Sequence, residues 1–200
     1  DHNISREILA WRAIKLPIYT VALIPITVGC AAAYLQTGVY FGKRYLVLLV
    51  SSVLVIAWLN LSNDVYDFDT GADENKRESV VKLVGSRRWT HSAAWLLLAL
   101  GMTGLGSVAV EAQNMKPLLL LCCSVLCGYV YQCPPFRLSY KGVGEPLCFA
   151  AFGPLATTAF YLLQTRTRFV FAISRAIICS SFLVGLTTAL ILFCSHFHQV

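Results

Sequence analysis

Charged residues are scarce in this 200-residue chain: 13% of the sequence is Asp, Glu, Lys or Arg, whereas 57% is hydrophobic. Soluble domains average about 25% charged and 45–50% apolar residues, so this composition excludes an ordinary soluble domain. The apolar runs also lack the period-two alternation of membrane β-barrels. Helices are then the only structures that satisfy the backbone inside a bilayer.

Several signatures of metal, redox and nucleic-acid chemistry are absent. The eight cysteines include no C-x-x-C pair and lie almost entirely in apolar runs, so we interpret them as small buried apolar residues. The alternating acids of an EF-hand loop are missing. The net charge of +6 comes from basic residues between apolar runs, where the positive-inside rule accounts for them. We therefore predict no nucleic-acid partner.

Six apolar runs dominate the chain, and each approaches the ~20 residues that a transmembrane helix needs. They cover residues 16–36, 45–62, 93–110, 117–133, 146–164 and 176–195. We predict one all-α, polytopic transmembrane domain over residues 1–200. Ten of the 16 Lys and Arg residues fall in the N-terminal segment and after the second and fourth runs. That bias predicts that this face is cytoplasmic or its organellar equivalent.

The most unusual stretch is NLSNDVYDFDTGAD, residues 60–73, which directly follows the second apolar run. If the helix continues through residue 67, Asn60, Asn63, Asp64 and Asp67 share one helical face. Clustered carboxylates at a membrane boundary need water or a cation between them. Oxygen ligands without Cys or His favour Mg²⁺, Ca²⁺ or Mn²⁺, and Mg²⁺ usually combines one or two carboxylates with substrate phosphates.

Basic residues on the same face of the membrane suit a phosphorylated ligand: Lys76, Arg77, Arg137 and Lys141. A second interpretation of the acidic stretch stays open. Its carboxylates also fit a solvated loop in which the acids pair with the loop's own Lys and Arg residues. The pattern of paired Asp in CDP-alcohol phosphotransferases is not matched, because it needs Gly directly after the second Asp and Asp67 is followed by Phe68.

Three separated motifs resemble the UbiA superfamily of intramembrane aromatic prenyltransferases. They are WRAIKLPIYTVALIPITVG at 11–29, NDVYD at 63–67 continuing to Asp73, and YQCPPFRLSYKGVGEPLCFAAFGPL at 131–155. The chain is most similar to the cyanobacterial and plant-plastid 1,4-dihydroxy-2-naphthoate phytyltransferase branch. The resemblance implies nine helices around a lipid-accessible cavity, of which this chain holds about six. We expect it to be C-terminally incomplete, because it stops before the second Asp-rich motif.

The resemblance also implies a cofactor, two substrates and a location. These are Mg²⁺, a prenyl diphosphate that is phytyl in this branch, 1,4-dihydroxy-2-naphthoate, and the bilayer of a plastid with the acidic loop on the stromal side. The resemblance implies that Asn63, Asp67 and Asp73 are catalytic. It also implies that these three residues and Asp64 bind the metal. Arg137, Lys141 and Lys76 are assigned to the diphosphate. The residues assigned to acceptor binding or to stabilisation of the cation are Lys15, with Arg12 as its alternative, Tyr66, Tyr131 and Tyr140.

Two other functions fit parts of the sequence. A truncated, non-catalytic homologue would bind a lipid diphosphate without transferring its prenyl chain. A transporter of divalent cations would also carry carboxylates, but it would place ionisable residues near the bilayer midplane. The six apolar runs are nearly free of such residues, which counts against transport.

Overall fold

The computed structural model describes residues 8–9, 11, 13, 15–71, 79–165 and 174–197, and these contain helices but no strand. A short 3-10 turn at Leu16–Tyr19 leads into the first long helix, and a second 3-10 turn covers Leu138–Lys141. The helices are α1 Thr20–Thr37, α2 Gly42–Asp69, α3 Val80–Val84, α4 Arg87–Glu111, α5 Lys116–Gln132, α6 Gly144–Gln164 and α7 Arg175–Phe197. The predicted all-α class is confirmed.

Five of these helices, namely α1, α2, α4, α6 and α7, are long and apolar enough to cross a membrane. Helix α5 has 17 residues, at the lower end of the range of about 17–25 that spanning helices use. By this measure the structure has five spans where the sequence predicted six, although all six apolar runs are helical. Helix α2, with 28 residues, extends well beyond the predicted run of 45–62 because the helix continues into the polar stretch.

Glycines allow the long helices to approach one another closely. At Gly29 of α1, an added Cβ would lie 2.7 Å from the carbonyl oxygen of Thr157 in α6. At Gly101 of α4, it would lie 2.8 Å from the carbonyl oxygen of Ser51 in α2. Small residues at such crossings are typical of membrane helices, whose association depends on close packing. At these crossings α1 packs closely on α6, and α4 packs closely on α2.

Helix α6 changes its hydrogen-bonding pattern around Pro154. The stretch Ala151–Thr157 is a π-helix between two α-helical segments. Proline lacks an N–H and its ring clashes with the preceding turn, so the wider π geometry relieves a clash that a regular helix would have. The same stretch brings Gly153 against α7, where an added Cβ would lie 2.6 Å from the carbonyl oxygen of Ser181.

A buried arginine joins three helix ends at the end of the bundle opposite the acidic stretch. Arg44, at the start of α2, is 4% exposed and donates from Nε to Oε1 of Glu111 at 3.0 Å. It also donates to the carbonyl oxygen of Leu163 at 3.2 Å and lies over the Phe41 ring at 4.3 Å. The ends of α2, α4 and α6 therefore meet at this side chain.

The close approach at Gly29 generates a prediction about stability. Gly29→Ala places a methyl group against backbone atoms of α6 that cannot move aside, so we expect a loss of about 1–3 kcal/mol in unfolding free energy. The thermal unfolding midpoint of the detergent-solubilised protein measures this loss. Gly106→Ala is the matched control, because no atom lies within 4 Å of the Cβ it would add to α4. Equal midpoints for the two variants would contradict the packing at Gly29.

Candidate functional site at the polar end of helix α2

The C-terminal end of α2 carries a polar stripe, which we define as Asn60, Asn63, Asp64 and Asp67. The helix remains regular through Asp69, as the spacing predicted. Asn63 is half-buried, whereas Asp64 and Asp67 are 2% and 6% exposed. Buried carboxylates are costly unless they are paired, and the negative end of a helix dipole disfavours them further. The partners of these two acids therefore define the site.

Asp67 accepts hydrogen bonds from Arg137 and Asn63. Arg137 donates from Nη2 to Oδ1 at 2.9 Å, and Asn63 donates from Nδ2 to Oδ2 at 2.8 Å. Arg137 comes from the loop between α5 and α6, and the carbonyl oxygen of Cys133 in that loop accepts from the Arg137 N–H at 3.1 Å. Arg137 also has a φ of 42°. Non-glycine residues in this left-handed region are strained by about 1–3 kcal/mol, and such strain is common where a side chain must be aimed at a site.

Asp64 connects α2 to two other segments. Lys15 donates from Nζ to Oδ1 at 3.0 Å, and the backbone N–H of Val80, at the start of α3, donates to Oδ2 at 3.0 Å. One turn earlier, Asn60 donates from Nδ2 to the carbonyl oxygen of Ala13 at 3.2 Å. Lys15 also has a positive φ, of 51°. Both basic partners of the buried acids thus have left-handed backbone.

A third acid, Asp69, lies at the exposed end of α2. Arg87 at the start of α4 binds it in a bidentate manner, with Nε to Oδ1 at 2.9 Å and Nη2 to Oδ2 at 2.6 Å. This pair matches the second interpretation of the sequence, in which acids pair with bases of their own loop. The other two acids do not follow that interpretation, because Lys15 and Arg137 lie 49 and 70 residues from their partners.

Tyr66 lies among residues that the sequence did not single out. Its ring meets His91 edge-on, with centroids 6.4 Å apart, and the thiol of Cys133 lies beside its hydroxyl. Burial raises the pKa of the Cys133 thiol to about 11, so this group is uncharged at neutral pH. Neither residue had a recognisable signal: Cys133 is the last residue of the apolar run 117–133, where cysteines were interpreted as small apolar residues, and His91 is a single histidine outside any motif.

The remaining predicted site residues fall into two groups. Lys141 is exposed in the 3-10 turn Leu138–Lys141, which also contains Tyr140, and Tyr131 packs its ring against Gly144 where α5 meets α6. Asp73, Lys76 and Arg12 lie outside the described residues. The structure therefore brings Asn63, Asp64, Asp67, Lys15 and Arg137 together, with Tyr66 on the neighbouring face of α2.

The donor atoms of the polar stripe suit Mg²⁺ in part. Asn63 and Asp67 offer only oxygen as ligands, which is the donor set that Mg²⁺ prefers. Within the described ranges, no group of three or more His, Cys, Asp and Glu residues is arranged for a metal ion. Two protein ligands still fit Mg²⁺, since it commonly takes one or two carboxylates together with substrate phosphates and water.

An apolar cavity of about 50 Å³ lies deeper between the same helices. It is lined by residues of α1, α2, α4, α5 and α6, among them Ala22, Ser52, Ile56, Leu105, Ala156 and Phe160. Ile56 precedes Asp67 by eleven residues of α2, which corresponds to about 16 Å along the helix.

Residues 22–200 match the UbiA prenyltransferase family. The chain belongs to this family. It is 63% identical over its whole length to the chloroplastic 2-carboxy-1,4-naphthoquinone phytyltransferase of Arabidopsis thaliana, and 47% identical over 94% of its length to the 2-carboxy-1,4-naphthoquinone phytyltransferase of Synechocystis sp.. A more distant relative is the UbiA prenyltransferase domain-containing protein 1 of Mus musculus, at 25% identity over 88% of the chain.

This UbiA family chain is shorter than those relatives. It spans 53%, 60% and 52% of their respective lengths. No solved structure matches it. The family that the three motifs indicated is confirmed, and so is the similarity to the plant and cyanobacterial branch.

The Arg137–Asp67 pair generates a prediction about stability. Arg137→Met leaves the Asp67 carboxylate buried without its ion-pair partner, which we expect to cost up to about 3 kcal/mol. The double variant Asp67→Asn, Arg137→Met should recover most of that loss, because the buried charge is then gone. Thermal unfolding in detergent without divalent ions compares the two. An equal loss in both variants would show that Arg137 contributes through packing alone.

Proposed function

We propose that this chain contains the donor-binding site of a Mg²⁺-dependent prenyltransferase, which transfers a phytyl group from phytyl diphosphate to 1,4-dihydroxy-2-naphthoate with loss of CO₂. One observation carries the proposal: the Asn63, Asp67 and Arg137 side chains meet at the membrane boundary above an apolar cavity. A polar group for the head beside an apolar helical interior suits a lipid diphosphate, although the cavity of about 50 Å³ would take only part of the tail. The names of the Arabidopsis and Synechocystis relatives support the same reaction class.

The charged head of the donor would bind at the polar stripe. Asn63 and Asp67, with Asp73 of the same sequence motif, would hold Mg²⁺, which supplies charge neutralisation that makes diphosphate a better leaving group. Arg137 would exchange its contact with Asp67 for the phosphate oxygens, because a guanidinium group matches carboxylate and phosphate geometry alike. Lys141 from the same loop and Lys76 from the acidic loop would neutralise the remaining negative charge.

The chemical step breaks the allylic C–O bond, and diphosphate leaves with the bonding electrons. The resulting cation needs an environment without water, which the apolar walls below Asp67 provide. A tyrosine ring facing the cation would lower its energy by up to about 2 kcal/mol, a role we assign to Tyr66, with Tyr131 and Tyr140 as further candidates. The electron-rich ring of the acceptor then forms the new C–C bond and releases its carboxylate as CO₂.

The redox state of the acceptor follows from this mechanism. The relatives are named for 2-carboxy-1,4-naphthoquinone, which is the two-electron oxidised form of 1,4-dihydroxy-2-naphthoate. A quinone ring is electron-poor and attacks cations weakly, whereas the hydroquinone is electron-rich. The reduced form is therefore the acceptor in this proposal.

The location in the cell follows from similarity and charge. The Arabidopsis relative is chloroplastic by name, so we place this chain in a plastid membrane. The excess of basic residues on the face that carries the polar stripe supports a stromal position for that face.

Asp67→Asn tests the proposed metal and donor site. In the purified full-length protein we expect Mg²⁺-dependent phytyl transfer to fall by about 10²–10³-fold, the usual effect of removing one group that stabilises charge in a transition state. Removing divalent ions with EDTA should abolish the wild-type activity. Asp69→Asn is the matched control, since Asp69 is exposed on the same helix and pairs with Arg87. Unchanged turnover in Asp67→Asn would remove this residue from the mechanism.

Ala156→Leu tests whether the cavity receives the donor tail. The added methyl groups reduce the cavity, so we expect kcat/KM for a C20 donor to fall by about 10-fold or more, in line with specificity effects of 1–3 kcal/mol. A C5 donor, whose tail ends above the cavity, should be used as well as by the wild type. Ala93→Leu adds the same groups to an exposed position of α4 and is the control. An equal loss for both donors would place the tail elsewhere.

A further inference from the structure

The two buried acids of the polar stripe have partners of different kinds. Asp67 accepts hydrogen bonds from Asn63, itself a candidate ligand, and from Arg137, a candidate phosphate-binding residue. The partners of Asp64 are Lys15, just before α1, and the backbone N–H of Val80 at the start of α3. The first set is suited to exchange with a ligand. The second set joins three separate segments of the chain.

The surroundings of Asp64 leave little room for a metal ion. Both carboxylate oxygens already accept a hydrogen bond at 3.0 Å, and the side chain is 3% exposed. One of these donors is a backbone amide, which cannot rotate away as a side chain does. Coordination of Mg²⁺ at Asp64 would therefore require α3 or the segment before α1 to move.

Asn60, one helical turn before Asp64 in α2, also contacts the segment that precedes α1. Its side chain is 4% exposed and donates to the carbonyl oxygen of Ala13 at 3.2 Å. Asn60 and Asp64 thus bind Ala13 and Lys15 respectively, through one neutral and one charged contact. The left-handed backbone of Lys15, with φ 51°, directs its ammonium group to this contact.

We propose that Asp64 is a positioning residue that holds Lys15 and the start of α3 against α2, and that it does not ligate Mg²⁺. Lys15 is then the partner of Asp64 and is not available to bind the carboxylate of the acceptor. This inference rests on the proposed function, because a distinction between ligand and positioning residue has meaning only in a metal-dependent reaction. It gives Asp64 and Lys15 roles other than those the sequence predicted.

The experiment compares four variants of the full-length protein: Asp64→Asn, Lys15→Met, their combination, and Asp67→Asn. The amide of Asp64→Asn retains an oxygen for the Val80 N–H and removes only the ion pair with Lys15. Asp64 contacts no candidate ligand directly, so we expect the Mg²⁺ concentration for half-maximal activity to stay within about twofold in Asp64→Asn. In Asp67→Asn it should rise about tenfold or more, which corresponds to about 1.4 kcal/mol for a lost ligand.

The melting temperatures of the same proteins, measured without divalent ions, test the contact itself. Asp64→Asn and Lys15→Met should each lower the melting temperature, and the double variant should fall no further than the worse single variant, because the two residues act through one interaction. Lys15→Arg, which retains the charge, should restore most of the loss.

Two results would overturn the proposal. A rise in the Mg²⁺ requirement of Asp64→Asn as large as that of Asp67→Asn would make Asp64 a ligand. Additive losses in melting temperature would show that Lys15 and Asp64 do not act together. If Asp67→Asn leaves the activity and its Mg²⁺ dependence unchanged, the proposed function fails, and the melting temperatures alone still decide whether Asp64 holds the three segments together.

Discussion

Two carboxylates buried at the C-terminal end of a helix are the constraint on which this end of the molecule depends. Asp64 and Asp67 lie in a poorly solvated position, at the end of α2 where the helix dipole is negative. Each needs a positive partner, because an uncompensated buried charge costs several kcal/mol. Lys15 and Arg137 meet that need from segments far apart in sequence. The pairing of these charges therefore determines how the segment before α1 and the loop after α5 approach α2.

The sequence predicts the helical part of this arrangement well and the contacts poorly. The 3.6-residue period placed Asn60, Asn63, Asp64 and Asp67 on one face, and α2 does continue through them. The partners could not be predicted, since contacts over 49 and 70 residues depend on how the helices pack. The left-handed backbone of Lys15 and Arg137 had no signal either, because such residues are usually glycine. The family resemblance supplied what spacing could not, namely the chemistry expected of the stripe.

Arg44, at the opposite end of the bundle, is a buried charge whose contacts are with the helical framework. Arg44 binds Glu111 and a carbonyl oxygen of α6, and it packs on Phe41. Its neighbours are helix ends, and they hold the guanidinium on several sides. The environment of Asp64 is similar to that of Arg44, with partners that belong to the framework. The environment of Asp67 differs, because its partners are side chains that suit a phosphorylated ligand.

The length of α2 has a consequence for how a substrate would arrive. Its 28 residues extend over about 42 Å, whereas the hydrocarbon core is about 30 Å thick. The last turns of the helix therefore reach the headgroup layer, where water and ions are abundant. In the proposed function, the isoprenoid diphosphate would keep its normal orientation in one leaflet and reach the protein by lateral diffusion. It would cross no hydrophobic barrier, and its charged end would never leave the aqueous interface.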